Sequence, residues 1–164
     1  RLGFVYQDFG LFPHMKVRAN IEYGLRIKGM KRAACEEKSR NMMELLGICH
    51  LADRYPGTLS GGEQQRTALA RALIVDPRIL FMDEPFSALD PNTKKQMYGL
   101  VREIHQLFGC TIVFVTHDFH EAEKLADRTA VIIGGRVRRI CDSRQLFLEK
   151  EDREVMEFLG ITAG

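Results

Sequence analysis

Leu2 to Tyr6 is a short apolar run closed by Gln7 and the stretch "QDFG", which predicts a buried strand running into a loop. From Val17 to Tyr55 the period lengthens. Met42, Met43, Leu45 and Leu46 fall at helix-face spacing before Gly47, so this segment reads as a mostly helical insert. Ser60 and two glycines then introduce "EQQRTALARALIVD", a strong helix former that Pro77 ends at Asp76. Ile79 to Met82 is wholly apolar between Arg78 and Asp83, which predicts a strand buried on both faces of a parallel sheet. Asn92 to Phe108 predicts an amphipathic helix, Thr111 to Thr116 a second buried strand, and Phe119 to Asp127 a helix after it. "AVII" and "RVRRI" flank Gly134 and Gly135, a pair suited to the positive backbone angles of a tight hairpin, and Ser143 to Gly160 reads as helical. Strand and helix alternate, as in α/β folds.

Composition narrows the classes of function. The 164 residues are 45% hydrophobic and 28% charged, enough for one domain with a real core. Against 24 basic residues stand 22 acidic ones, so no broad positive field draws in nucleic acid. Cys35, Cys49, Cys110 and Cys141 form no CxxC pair, which favours reduced core thiols in a reducing cytosol over a zinc site or disulfides. No apolar run reaches the roughly 20 residues that cross a bilayer, so membrane attachment is expected through a partner. The chain opens on Arg1 directly against a strand and reads as part of something longer.

Candidate chemistry lies in four short motifs. In "LSGGEQQR", residues 59 to 66, Ser60 can cap a helix while Gly61 and Gly62 expose backbone donors at its positive end to an anion. The plainer alternative is a capping box, with Glu63 three residues after Ser60. In "ILFMDEP", residues 79 to 85, Asp83 and Glu84 end the apolar strand; adjacent carboxylates there need a cation or donors to offset desolvation, or else form a solvated strand-to-turn pair. In α/β sheets ligands bind beyond the carboxyl ends of the strands, where this pair falls. His117 follows the strand "TIVFVT" at the same sheet edge. "HDFHE" also permits a metal cluster of His117, Asp118, His120 and Glu121, although it lacks a zinc pattern. Gln7 is a polar strand end, and "SALD" before Pro91 can be a helix cap.

In this order and spacing the motifs resemble the ABC ATPase family over almost the whole chain. The resemblance implies an α/β fold: a partial P-loop NTPase domain with a parallel sheet core and a helical signature subdomain. Its parts are a Q-loop region at 1–16, the helical subdomain at 17–75, half of the catalytic core at 76–142 and a C-terminal helix at 143–164. It implies that Glu84 orients and polarises the attacking water and that His117 contacts the γ-phosphate. It further implies that Asp83 holds Mg²⁺ through water, with Gln7 reaching the same ion. It also implies that Ser60, Gly61, Gly62 and Gln64 grip the ATP of an opposite subunit, that Asp90 lies in the D-loop across the dimer interface, and that the segment from Leu11 to Met15 lines a groove for a membrane subunit.

One family motif is absent from the chain, the phosphate-binding GxxxxGK[ST]. "GLRIKGMK" at 24 to 31 and "GTLSGGEQ" at 57 to 64 lack its lysine. The N-terminal strands and phosphate loop are therefore expected outside these residues, leaving unpaired sheet edges beside the strands at 111–116 and 130–133. Without sustained heptads or cysteine pairs between Gln7 and Leu59, a transport ATPase is favoured over the DNA-repair or translation members. The resemblance is strongest to importers of molybdate or tungstate, then of sulfate, polyamines or glycine betaine. It implies ATP and Mg²⁺ as cofactors. The implied partners are a second ATPase subunit, transmembrane permease subunits and a substrate-binding protein, at the cytoplasmic face of the cell membrane.

Overall fold

The computed structural model describes residues 1–148 and 152–161, which belong to two compact units, residues 1–115 and 116–164. In the first unit three strands, β1 (Leu2–Val5), β2 (Ile79–Asp83) and β3 (Thr111–Val115), form a parallel sheet in the order β1-β2-β3. The register places Leu2 beside Ile79 and Thr111, and Val5 beside Met82 and Phe114. Because side chains alternate across a sheet, Gly3, Val5, Leu80 and Met82 share one face, and all are buried. Leu2, Phe4, Ile79, Phe81, Val113 and Val115 share the other.

Four helices complete this unit: α1 (Val17–Ile27), α2 (Arg32–Leu45), α3 (Gly61–Leu73) and α4 (Pro91–Phe108). The helical insert is present as read, with Met42, Met43 and Leu46 buried and Leu45 turned outward. Glu22 of α1, fully buried, accepts from Arg26 and from the Ser39 hydroxyl at 2.8 Å, tying α1 to α2. Helix α3 packs tightly on the sheet: a Cβ on Gly3 would meet the Ala72 carbonyl oxygen at 2.9 Å. Phe86, fully buried, sets its ring edge-on to Tyr98 of α4 and Phe114 of β3.

These contacts correct the reading of β2 and β3. β2 is not buried on both faces, since Ile79 stays 42% exposed, and no residue of β3 is fully buried. The reason is that α3 covers the Gly3 and Leu80 side, while Val113 and Val115 point the other way. Apolar runs report what a strand can bury, not which face a helix reaches.

The second unit holds α5 (Phe119–Leu125), the antiparallel hairpin β4 (Arg128–Ile133) and β5 (Arg136–Asp142), a 3₁₀ segment at Ser143–Leu148 and α6 (Arg153–Phe158). Gly134 and Gly135 turn the hairpin at φ 56° and 74°, as expected. The single helix read over 143–160 is instead these two short pieces, and residues 149–151 of that reading lie outside the described residues. Ala122, Val131, Leu146, Val155 and Leu159 form the core of this unit. Among the described residues β3 pairs only with β2 and β4 only with β5. All four cysteines are free; Cys35 and Cys110 are core thiols, but Cys49 is exposed.

Candidate functional site

The parallel register dictates the first constellation. Val5 lies beside Met82, so the chain that continues past each strand brings Gln7 level with Glu84. Gln7 Nε2 donates to Glu84 Oε2 at 3.3 Å, joining residues far apart in sequence at the carboxyl end of the sheet. Asp83 precedes Glu84 as the last residue of β2. Glu84 adopts φ 41°, a left-handed conformation that costs a bulky residue about 1–3 kcal/mol. It is held there by its N–H to the Val115 carbonyl at 2.9 Å, and by its own carbonyl, which accepts from the Ser87 N–H and hydroxyl. Glu84 is thus a half-buried carboxylate in a left-handed turn at the end of β2.

The second constellation is at the start of α3. Ser60 is the N-cap and the capping box is formed: Ser60 N–H donates to Glu63 Oε2 at 2.7 Å and Glu63 N–H to Ser60 Oγ at 3.4 Å. The Ser60 N–H, and then its hydroxyl, hold the Glu63 carboxyl below the usual carboxylate range. The box does not displace the anion-grip reading. Gly61 and Gly62 occupy the first turn, where amides have no acceptor within the helix. Gly62 has a packing reason as well, since a Cβ there would meet Thr93 Cγ2 at 2.8 Å. Gly61 lies near Leu89 and the Ala88 carbonyl, so "LSGG" and "SALD" sit against one another. Gln64 donates to the Leu59 carbonyl at 3.1 Å. Asp90 caps α4 through the N–H groups of Asn92 and Thr93, and the Thr93 hydroxyl and N–H lower its pKa. The helix-cap alternative for "SALD" is thus realised in Asp90 itself.

Two side chains of α3 that sequence reasoning passed over connect these places. Arg71 donates to the Gly10 carbonyl at 2.7 Å and the Phe9 carbonyl at 3.1 Å, and lies over the Phe12 ring. It clamps the turn after Gln7, where Phe9 and Gly10 both hold positive φ. Gln65, fully buried, donates to the Pro85 carbonyl. Helical phase was the available signal: Gln65 falls on the stripe of Ala68, Leu69 and Ala72, all buried. Charged hydrogen bonds of the Arg71 kind are worth about 1.5–3 kcal/mol. Arg71→Met is therefore expected to speed amide exchange over residues 7 to 12 by about tenfold or more while α4 keeps its protection, as read by hydrogen exchange.

His117 is exposed and belongs to the second unit. Near it Asp118 N–H donates to Thr116 Oγ1 at 3.0 Å, and Asp118 caps α5. Among the described residues no three His, Cys, Asp or Glu side chains gather to hold a metal, so "HDFHE" does not form such a cluster. The oxygen donors at the sheet end suit a different ion. Mg²⁺ takes one or two carboxylates and completes its shell with water and phosphate, which fits Asp83 with the Gln7 amide oxygen. "GLRIKGMK" runs from within α1 into the following turn and forms no strand–loop–helix cradle. Among the described residues no helix is long and apolar enough to cross a membrane.

Comparison with known proteins agrees with this fold. The family described as "ABC transporter" matches residues 1–87. The molybdate/tungstate import ATP-binding protein WtpC of Archaeoglobus fulgidus is 48% identical over 97% of this chain and 65% of its own length. WtpC of Pyrococcus horikoshii is 45% identical over 96% of the chain and 46% of its length. The sulfate/thiosulfate import ATP-binding protein CysA of Escherichia coli K12 is 43% identical over 98% of the chain and 45% of its length. The chain thus spans about half the length of most of these relatives. A dimeric ATP-binding cassette in a post-hydrolysis state, bound to ADP and Pi, superposes with a TM-score of 0.76 at 32% identity, covering 88% of this chain and 63% of that one. With the parallel sheet, the helical insert, the capped glycine signature and these matches together, the chain belongs to the ABC transporter family.

Proposed function

We propose that this chain supplies the signature motif and the catalytic carboxylate of the ATP-hydrolysing subunit of an ABC importer. The observation that carries the reading is the contact between Gln7 and Glu84 at the carboxyl end of the parallel sheet. Two elements distant in sequence converge there on one carboxylate held in a strained turn. Glu84 orients the attacking water and accepts its proton, the task of a general base in phosphoryl transfer. Gln7 steadies the Glu84 carboxylate through Nε2. Asp83 and Gln7 would hold Mg²⁺, which would neutralise charge on the phosphate oxygens. His117 contacts the γ-phosphate. Ser60, Gly61, Gly62 and Gln64 offer backbone and side-chain donors to the nucleotide of a second subunit, with Asp90 in the segment that crosses between subunits.

The phosphate loop and the adenine platform come from residues other than these 164, in the complete ATPase. That protein works as a homodimer on the cytoplasmic face of the membrane, docked on permease subunits and served by a substrate-binding protein. The cargo is an oxyanion, molybdate or tungstate, because relatives named for that cargo are 45% and 48% identical. Sulfate is the second reading, favoured by relatives at 43%. Reconstitution with permease and binding protein in vesicles tests both. Molybdate-loaded binding protein is expected to raise ATP turnover severalfold, and stimulation by sulfate alone would transfer the assignment to sulfate.

A further inference from the structure

Gln65 is fully buried, and its Nε2 donates to the Pro85 carbonyl oxygen at 2.5 Å. Its Oε1 has no hydrogen-bond partner among the described residues. Burying an amide with one half unmatched is less favourable than burying Leu or Met of similar volume. Packing alone therefore does not account for the residue. What the amide adds is a donor aimed at one carbonyl, that of the residue directly after Glu84.

The backbone around Glu84 is held at successive points. Its N–H is fixed by Val115 of β3 and its carbonyl by Ser87. The next carbonyl is fixed by Gln65, on the helix whose first residues are Gly61 and Gly62. Glu84 needs such restraint because its φ of 41° is unfavourable for a side chain, and Pro85 narrows its choices further. Releasing the Pro85 carbonyl would let the turn relax and re-aim the carboxylate, and small misplacements of a catalytic group lower rates steeply.

We infer that Gln65 is a positioning residue for Glu84: its amide, carried on the signature helix, fixes the Pro85 carbonyl and with it the left-handed turn that aims the carboxylate. This rests on the role proposed for Glu84. Through it the signature helix and the water-polarising carboxylate of one subunit move as a unit.

The test uses the complete ATPase. Gln65→Met keeps the volume and removes the donor; it is expected to lower kcat about tenfold or more, with KM for Mg-ATP within about twofold. Gln65→Glu provides a second arm. A buried carboxyl can donate to the Pro85 carbonyl only when protonated, so its kcat relative to the parent protein should rise severalfold from pH 8 to pH 6. Because ionising a buried carboxyl also destabilises the fold, kcat is compared per folded protein, with the folded fraction read by circular dichroism at each pH; a purely structural role leaves that ratio flat. Normal kcat in Gln65→Met, or a flat ratio across pH in Gln65→Glu, overturns the inference. If Gln65→Met does not fold, the pH ratio of Gln65→Glu decides alone. An inactive parent protein would instead overturn the proposed ATPase function.

Discussion

Replacing Glu84 by Gln in the complete ATPase is expected to lower ATP turnover by about two to four orders of magnitude, the usual worth of a positioned general base. ATP binding should stay within about twofold. The substitution preserves size, and the turn at residue 84 is fixed by backbone bonds to Val115 and Ser87 that the side chain does not make. What disappears is the capacity to take a proton from water. Gln7 Nε2, which donates to Glu84 Oε2 in the native chain, can still donate to the amide oxygen of the variant. The nucleotide should therefore be held but not cleaved, and a nucleotide-bound dimer should accumulate. Steady-state phosphate release and size-exclusion chromatography with ATP read both effects. A variant that turns over normally would remove Glu84 from the chemistry and reduce its contact with Gln7 to a packing feature.

The second large effect is expected at the start of α3. Ser60→Arg should abolish turnover, by about a hundredfold or more, while lowering folding stability by only about 1 kcal/mol, the usual worth of an N-cap. Structure separates the two effects. Ser60 is exposed, and of the two backbone bonds in the capping box the shorter runs from the Ser60 N–H to Glu63, a bond the substitution leaves in place. Two bonds made by the hydroxyl are lost, the 3.4 Å bond it accepts from Glu63 N–H and the exposed 2.9 Å bond it donates to Glu63 Oε2. The arginine would instead crowd the first turn beside Gly61 and Gly62, where a polyphosphate must approach bare amides. Normal turnover would mean that "LSGGEQQR" is a capping box and nothing more. A collapse of thermal stability together with activity would mean that the cap matters more than the grip.

Much of this site was legible in the chain because its signals are local. Ser60 and Glu63 stand at capping-box spacing, Asp83 and Glu84 end an apolar run, and the two glycines at 134 and 135 turn a hairpin; each needs only neighbours in sequence. The approach of Gln7 to Glu84 was legible only through the family resemblance, which takes Gln7 to the ion held by Asp83; by itself Gln7 read as a polar strand end. What escaped depends on tertiary approach. Nothing beside Gln65 in sequence says that its amide meets Pro85, nor beside Arg71 that it reaches the carbonyls of Phe9 and Gly10. The faces of β2 and β3 escaped for the same reason, because Ile79 and Val113 are as apolar as Leu80 and differ only in where α3 lies. Gly62 carries two constraints at once, the close approach of Thr93 and an open helix start, and sequence alone suggested only the second.

The central claim is that Glu84 and Ser60 act on ATP from different subunits, and single-turnover hydrolysis by defined dimers of the complete ATPase tests it most directly. One dimer carries Ser60→Arg in one subunit and Glu84→Gln in its partner; another carries both changes in the same subunit beside an unaltered one. If each site joins the carboxylate of one subunit to the signature of the other, the first dimer keeps one intact site and cleaves one equivalent of ATP at about the normal rate. The second should cleave none. The opposite pattern, hydrolysis only when both changes share a subunit, would contradict the account.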